Sequence, residues 1–177
     1  MILNANDVAI VLPEILVSVM ACIILVLDLY LPETYRQKVG YVLSLATLAA
    51  AIVAIFPPVV AEPVYGLNGL VVKDGVSDLL KVGICLLAGC TLVYSRVYAE
   101  FRGLWQGEYF VLALLGVVGM MVMTSASHLL SLYVGLELLA LCLYAMVALR
   151  LNSTGASEAA MKYFVLSALS SGILLYG

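Results

Sequence analysis

An acidic residue lies in the middle of a strongly apolar segment of the chain. Glu137 is flanked by leucine-rich sequence from Leu129 to Leu141, in which Ser131 and Tyr133 are the main polar interruptions. A charged residue at the centre of a membrane helix costs about 2.5–3.5 kcal/mol on insertion scales, so such residues usually mark ion or proton routes. We therefore predict that Glu137 is a proton-path residue. The alternative is an acid that a neighbouring helix satisfies for packing alone.

A second ionisable residue, Lys162, follows Glu158 by four positions near the start of a later apolar segment. This order allows a surface ion pair worth about 0.3–0.5 kcal/mol, with the lysine reaching toward the cytoplasm. The alternative is a place for Lys162 on the same proton path as Glu137. Counted from the predicted helix ends, Glu137 lies about 18 Å deep and Lys162 about 9 Å deep. Bridging waters would then connect them, and a relay fits better than a rigid salt bridge.

Such a relay would work through the proton affinity of the lysine. A buried lysine loses part of its preference for the charged form, and a nearby carboxylate restores it. Separation of the two groups would therefore release a proton.

Three other ionisable residues are weaker candidates. Glu14 follows Pro13 at the outer end of the first predicted helix, where the helix dipole favours an acid. Asp28 lies near the inner end of the same helix, and we predict both carboxylates at the membrane interface. His128 stands beside a tight turn and is predicted at the membrane surface, although a histidine can donate a proton near neutral pH.

A charged group also marks the start of the third predicted helix. Asp74, Asp78 and Lys81 follow a glycine-containing loop. We predict helix capping and pairing between residues three apart for this group, and no part in a proton path.

The elements that must position these residues are membrane helices. Hydrophobic residues make up 65% of the 177-residue chain and charged residues 11%, and the mean hydropathy is +1.17. A soluble core of this length could not hide so much apolar surface. An all-α, polytopic membrane bundle of six helices is predicted, since about 20 apolar residues cross the ~30 Å hydrocarbon layer. The predicted spans are 8–31, 39–56, 74–98, 107–125, 129–149 and 157–177.

Turn residues separate these spans. The first helix ends at Pro32, and the second ends at Pro57-Pro58, which cannot continue a helix. A polar cluster at 124–127 is the one place for the chain to reverse between the fourth and fifth helices, so these two are predicted to form a tight hairpin. Residues 151–155 form the turn before the sixth helix.

The distribution of basic residues predicts the orientation. Five of them fall on one side of the predicted membrane: Arg36, Lys38, Arg96, Arg102 and Arg150. The positive-inside rule places these loops in the cytoplasm and the N-terminus outside. The first helix lacks a basic leader and is longer than a signal-peptide core, so we expect it to remain as an anchor.

Several kinds of chemistry have no support in the sequence. The four cysteines lie within predicted spans, show no metal-ligand spacing, and are predicted to pack as small apolar residues: Cys22, Cys85, Cys90 and Cys142. No nucleotide-binding loop, nucleophile motif, haem or iron–sulfur pattern is present. We expect no nucleic-acid binding and no metal, and we expect that this chain binds no cofactor.

Several segments resemble one known family. They are GEYF at 107–110, LYVGLEL at 132–138, EAAMKYF at 158–164 and LLYG at 174–177, together with LPEIL at 12–16 and VKDG at 72–75. In this order they resemble the bacterial subunit N family of the proton-pumping NADH:quinone oxidoreductase, respiratory complex I. The resemblance covers essentially the whole chain.

The resemblance implies an antiporter-like membrane subunit without a redox centre of its own. Such a subunit takes part in proton translocation while other subunits of the enzyme pass electrons from NADH to quinone. Its partners would be the other membrane subunits, the lipid bilayer and protons, and its location the bacterial inner membrane. Glu137 matches the essential fifth-helix acid of the family, and Lys162 matches a sixth-helix lysine of the same path. The family acid is partnered by a lysine on a later, broken seventh helix.

The resemblance also implies how the chain is divided. Residues 1–106 would form the three N-terminal helices, and residues 107–177 the start of the first antiporter-like repeat, which is cut short. The family is more than twice as long, so we expect a fragment, a truncated gene model or a split gene.

Two alternative functions stay open. One is a subunit of a multisubunit cation/proton antiporter, which shares the same acid and lysine. The other is a non-transporting structural or assembly protein, in which Glu137 only holds helices together.

Overall fold

A computed structural model describes residues 5–56, 63–150 and 153–177 of the chain. Over these residues the protein is a helical bundle with one small β-hairpin. The helices are α1 (Ala5–Ile10), α2 (Leu12–Tyr30), α3 (Glu33–Ile55), α4 (Gly75–Phe101), α5 (Gly107–Thr124), α6 (Leu129–Ala148) and α7 (Thr154–Tyr176). Six helices of the described part, α2 to α7, are long and apolar enough to cross a membrane. The predicted fold class is therefore confirmed.

The main differences between predicted and observed helix ends occur next to prolines. The first predicted helix is divided, because α1 ends at Ile10 and a new helix begins at Leu12 with Pro13 in its first turn. A proline is compatible with the first turn of a helix but lacks the N–H that an interior position donates. The helix α3 begins directly after Pro32, six residues earlier than predicted. Its charged first turns had been assigned to the loop.

The last helix also starts before its predicted first residue, since Ser153 caps α7 by accepting a hydrogen bond from the N–H of Ala156 at 3.3 Å. The predicted stop at Pro57-Pro58, and the first two residues of the predicted turn at 151–155, lie outside the described residues.

The β-hairpin was not predicted. Strands β1 (Val64–Gly66) and β2 (Val71–Lys73) pair antiparallel across a tight turn. The turn holds Asn68 at a φ of 57°, a left-handed conformation that asparagine tolerates better than most residues. Each strand has three residues, which is too short for the alternation of polar and apolar side chains to be recognised in the sequence.

The hairpin lies over one end of the bundle, which we call the hairpin end. The N–H of Val72 donates to the carbonyl of Ser125 at 2.9 Å, and the N–H of Ser127 donates to Leu70 at 3.1 Å. These bonds join the hairpin to the connection between α5 and α6. The helices α2, α4 and α6 begin at this end.

Most basic side chains mark the opposite end, which we call the arginine end. Arg36 and Lys38 lie in the first turns of α3, Arg96 and Arg102 lie at the end of α4, and Arg150 follows α6. These five basic residues therefore lie at one end of the bundle, as the predicted orientation requires.

Helix α5 is the centre of the bundle. It packs against α2, α3, α4 and α6, and its side chains Phe110, Leu114 and Met121 are completely buried. The predicted hairpin of α5 and α6 is observed, and the two helices cross where Gly119 faces Gly135. Small residues at such a crossing let two helix backbones approach closely.

Helix α7 lies at the edge of the bundle. It packs against α6, where Tyr144 contacts the rings of Tyr163 and Phe164 at centroid distances of 5.0 and 5.6 Å. Most other side chains of α7 are exposed and apolar. Large exposed apolar surface is typical of a face that contacts lipid or another protein.

Candidate functional site

Glu137 lies near the middle of α6, as the sequence predicts. It is the only Asp, Glu, Lys or Arg in this 20-residue helix. The side chain is partly buried, and no described residue forms an ion pair or a hydrogen bond with its carboxylate. Two residues earlier, Gly135 packs against the backbone of α5 at Gly119. The contact between Gly119 and Gly135 therefore fixes the position of the Glu137 backbone relative to α5.

Lys162 lies on α7 and forms an ion pair with Glu158. The Nζ to Oε1 distance is 2.5 Å, and the two side chains are 71% and 67% exposed. The surface pair between residues four apart, one of the two interpretations of the sequence, is thus present. No direct contact between Lys162 and Glu137 is present among the described side chains.

The observed helix ends bring Lys162 and Glu137 closer in depth than expected. Lys162 follows Thr154, the first residue of α7, by eight positions, and Glu137 precedes Ala148, the last residue of α6, by eleven. At 1.5 Å per residue, these positions are about 12 and about 16 Å from the arginine end. The difference in depth is therefore about 4 Å, compared with the expected difference of about 9 Å.

Glu14 lies in the first turn of α2, as predicted, but the structure buries it in an ion pair that the sequence did not predict. Its Oε1 atom lies 2.6 Å from Nζ of Lys81. Glu14 is 3% exposed and Lys81 is 1% exposed. The Oγ atom of Ser125 also donates to Oε1 of Glu14, at 3.4 Å. A carboxylate from α2 and an ammonium from α4 therefore meet beneath the hairpin end.

Lys81 was predicted to pair with residues of its own helix, and this prediction was wrong. It lies six residues after Gly75, the first residue of α4, so its backbone is about 9 Å inside the bundle. A buried ammonium needs an opposite charge, and α2 supplies one through Glu14. Sequence spacing could suggest partners within α4 but not a partner 67 residues away.

Asp28 lies near the end of α2, as predicted, but it is buried between helices. Its carboxylate forms an ion pair with Arg36 of α3 and is 8% exposed. The same carboxylate lies against Gly107, the first residue of α5, so closely that a Cβ atom there would overlap it. The N-terminus of a helix carries a partial positive charge, so this position is favourable for an acid.

His128 has a structural role at the start of α6. It is exposed, and its Nδ1 atom accepts a hydrogen bond from the N–H of Leu130 at 3.2 Å. His128 thus caps the helix that carries Glu137.

Asp74 caps α4, as predicted. Its side chain accepts from the N–H of Ser77 at 2.8 Å, and the hydroxyl of Ser77 accepts from the N–H of Asp74 at 3.1 Å. The backbone hydrogen bond from Ser77, followed by the bond from its hydroxyl, lowers the pKa of Asp74 below its usual value of 3.8. This reciprocal arrangement is a capping box.

No metal-binding cluster of His, Cys, Asp or Glu is found within the described ranges. Cys85 and Cys142 are buried, and Cys22 and Cys90 are exposed; all four are free thiols.

The bundle and its intramembrane charges define the class of protein. The described part of the chain is a polytopic membrane bundle with one isolated acid on α6 and a buried ion pair between α2 and α4. Ionisable residues within membrane spans are rare and usually functional. A family model described as NADH:quinone oxidoreductase/Mrp antiporter, TM, matches residues 126–177. This segment contains both Glu137 and Lys162.

The curated relatives of the chain share one name. The chain is 54% identical to NADH-quinone oxidoreductase subunit N of Thiobacillus denitrificans, over 94% of this chain and 34% of the relative. It is 49% identical to subunit N of Thioalkalivibrio sulfidiphilus, over 94% and 35%, and 47% identical to that of Methylovorus glucosotrophus, over 97% and 36%. The resemblance to subunit N is thus confirmed over nearly the whole chain.

A solved structure agrees with the sequence relatives. The fold is similar to a chain in respiratory complex I from Thermus thermophilus with bound aureothin, with a TM-score of 0.71 and 28% identity. The match covers 93% of this chain and 35% of the solved chain. The chain spans about a third of the length of the curated relatives it matches.

Proposed function

We propose that this chain forms part of a membrane subunit of a proton-pumping NADH:quinone oxidoreductase. It takes part in proton translocation that is coupled to electron transfer from NADH to quinone by other subunits. The similarity to subunit N at 47–54% identity supports this function. NADH and quinone are substrates of the complex, and this chain supplies no redox centre.

The single observation that carries the proposal is the position of Glu137. Its carboxylate is the one charge on α6, and no described residue neutralises it. A carboxylate in a medium of low dielectric constant either finds an opposite charge or binds a proton. Glu137 therefore binds and releases a proton as opposite charges approach and move away. The family resemblance implies a lysine on a later helix as the approaching group.

Lys162 is the second member of the proposed proton path. Its ion pair with Glu158 is exposed, so it contributes little to stability and breaks at low cost. A lysine on this flexible stem can turn toward Glu137 across the depth difference of about 4 Å. We infer that Lys162 alternates between Glu158 and water-mediated contact with Glu137.

We propose that the chain lies in the bacterial inner membrane and crosses it several times, with its N-terminus on the periplasmic side. The grouping of basic residues at the arginine end supports this orientation, because basic ends face the cytoplasm. The partners are other membrane subunits of the complex, the lipid bilayer and the translocated protons. Within the chain, residues 1–106 supply three N-terminal helices, and residues 107–177 begin the antiporter-like repeat.

The test is the substitution Glu137→Gln in the complex as it occurs in its native membrane. Glutamine keeps the shape of the side chain but cannot release a proton. We expect assembly to be retained and NADH-driven proton translocation to fall by about 100-fold, the lower end of what one positioned proton-transfer group contributes. The matched control is Glu100→Gln, which removes an exposed acid that pairs with Arg96 on the surface of α4.

Two results would contradict the proposal. Translocation at the wild-type rate in Glu137→Gln, together with failed assembly in Glu137→Leu, would assign Glu137 a structural role. Proton movement that requires a second cation gradient and is independent of NADH would identify a cation/proton antiporter instead.

A further inference from the structure

A second intramembrane charge site lies at the hairpin end, on different helices from Glu137 and Lys162. Its members are Glu14 of α2, Lys81 of α4, and Ser125 directly after α5. Glu14 and Lys81 are 3% and 1% exposed. Helix α5 packs against both α4 and α6, so it lies between this site and the helix that carries Glu137.

One oxygen of the buried pair has no hydrogen-bond partner among the described residues. Oε1 of Glu14 contacts Lys81 and Ser125, whereas Oε2 is buried and makes no hydrogen bond with any described residue. A buried carboxylate oxygen without a donor is unfavourable, and hydrogen bonds satisfy almost all such groups in native proteins. Oε2 therefore has the capacity to accept one more proton or one more donor.

Stability alone does not explain a buried ion pair in this position. Removal of two charges from water costs about as much as their mutual attraction returns, and well-packed apolar residues often stabilise as well or better. The cost is higher in a membrane, where ionisable residues are rare. A buried pair that leaves one oxygen unsatisfied is therefore better explained by a function that uses its charge.

Two acidic side chains precede Lys81 on α4 and its N-cap, in the direction of the hairpin end. Asp78 is partly buried and lies one turn before Lys81 on α4. It is within electrostatic range of Glu14, Lys81 and Lys73. Asp74 caps the same helix at the hairpin end, four residues before Asp78.

Other ionisable groups also surround the site. They are Cys85, one turn deeper on α4 and within electrostatic range of Glu14, and Asp7 on α1, which accepts a hydrogen bond from the N–H of Leu67.

We propose that Glu14 and Lys81 form a second proton-binding site, separate from Glu137, which exchanges protons with the solution at the hairpin end through Asp78. Asp78 takes a proton from the solution and passes it to Oε2 of Glu14, so the O–H bond on Asp78 breaks as an O–H bond on Glu14 forms. The pair then changes from zero net charge to +1, and the nearby carboxylate of Asp78 offsets this charge. The same bond breaks when the proton leaves, so no group is oxidised or reduced.

The charges of the pair meet close to the hairpin end. Glu14 lies in the first turn of α2 and Ser125 directly follows α5, so the side chain of Lys81, whose backbone is about 9 Å inside the bundle, reaches back toward that end. Glu137 is nine residues from the cap His128, which places its backbone about 13 Å from the same end. The helices that carry the two sites all pack against α5, and charges on them affect each other because electrostatic interactions are weakly screened inside the membrane. The inference rests on one part of the proposed function, which is that protons move through this membrane subunit.

The test compares single and double substitutions in the complete complex in its native membrane. Glu14→Gln and Lys81→Met each leave one buried charge without its partner, so each is expected to lower the amount of assembled complex. The double variant has no isolated charge and is expected to assemble. If the pair binds translocated protons, the assembled double variant translocates protons at least about tenfold more slowly than wild type. Wild-type translocation in that variant would overturn the proposal and leave a structural pair.

The matched control removes an exposed pair on the same helix. Arg96 and Glu100 are four residues apart on α4 and are 47% and 45% exposed. The double variant Arg96→Met with Glu100→Gln also removes one positive and one negative charge, and is expected to translocate protons at the wild-type rate. A tenfold loss in this control would show that the assay responds to charge removal in general and would overturn the proposal.

A spectroscopic measurement decides the case in which the double variant does not assemble. The infrared C=O band of a protonated carboxyl group is followed in the wild-type complex as the pH of the solution is lowered. The proposal expects a band that shifts in Glu14→Asp, a variant that keeps the acid and the ion pair. Absence of any band that responds to Glu14→Asp would overturn it.

Parallel measurement of Glu137→Gln separates this inference from the proposed function. If Glu137→Gln translocates normally while the double variant is slow, the role of Glu137 fails and the second site stands. If only Glu137→Gln is slow, the second site fails and the proposed function stands.

Discussion

The crossing of α5 and α6 allows a sharp prediction, because two glycines on α5 differ only in what they face. A Cβ atom at Gly119 would lie 2.9 Å from the carbonyl oxygen of Gly135 and 2.9 Å from the backbone nitrogen of Leu139. Backbone atoms cannot rotate away, so the two helices must separate. A Cβ atom at Gly116 would lie 3.6 Å from a methyl group of Leu139 and 3.8 Å from Cβ of Cys142, which is ordinary contact.

The expected loss of unfolding free energy follows from a comparison of Gly119→Ala with Gly116→Ala. Alanine is favoured over glycine in a helix interior by about 0.5–1 kcal/mol, and this gain applies equally to both variants. Overpacking at a close contact costs about 1–3 kcal/mol. The propensity gain cancels in the difference, so Gly119→Ala is expected to be about 1–3 kcal/mol less stable than Gly116→Ala. Relative to wild type, Gly116→Ala is expected to be neutral or slightly stabilised.

The assay is thermal or denaturant unfolding of the purified membrane protein in one detergent, with both variants measured at the same concentration. Proton translocation is measured separately, with the same two variants in the complete complex in its native membrane. Gly135 precedes Glu137 by two residues, so separation of the helices moves the acid and lowers translocation in Gly119→Ala more than in Gly116→Ala. Equal stabilities of the two alanine variants would refute the close backbone crossing.

Two further predictions concern the helix ends. Asp74→Ala removes the cap of α4 and is expected to cost about 1 kcal/mol of unfolding free energy at neutral pH. Because Ser77 lowers the folded-state pKa of Asp74 below 3.8, this advantage over the alanine variant is complete above pH 3.8. This advantage is lost as the pH falls through the lowered folded-state pKa. The measurement is the unfolding free energy of wild type and Asp74→Ala at pH 3 to 7. A difference between the two proteins that does not change with pH would contradict the cap. Gly107→Ala is expected to destabilise the bundle by about 1–3 kcal/mol because its Cβ overlaps the Asp28 carboxylate. Gly83→Ala, whose Cβ meets nothing within 4 Å, is the control in the same melting assay and is expected to be neutral or stabilised by about 0.5–1 kcal/mol.

Local sequence determines the membrane helices of this protein to within a few residues at most ends. The span 107–125 was predicted and α5 is Gly107–Thr124; the span 129–149 was predicted and α6 is Leu129–Ala148. Long apolar runs must form helices in a bilayer, because each backbone N–H and C=O group needs a partner within its own segment. The start of α3 was predicted six residues late, because charged residues in the first turns of a membrane helix resemble a loop in composition.

The partners of charged residues depend on tertiary structure. The sequence singles out Glu137, since one acid in an apolar run is visible without any knowledge of packing. It also shows the Glu158 and Lys162 pair, because residues four apart on a helix are neighbours. The pair of Glu14 and Lys81 could not be predicted in this way, since its members lie on helices that are adjacent in space but distant in the chain.

The sequence alone therefore determines that the chain is a six-span membrane bundle, where its helices run and which family it resembles. Tertiary structure alone decides which charges on different helices meet, because helix packing and not sequence spacing places Glu14 of α2 beside Lys81 of α4. It also decides that Gly119 and Gly135 face each other, since the rotation of each helix about its axis is set by the surfaces that pack best. Burial gives these contacts their strength: a charge beneath the hairpin end must find an opposite charge, whereas the same residue on the surface would interact with water.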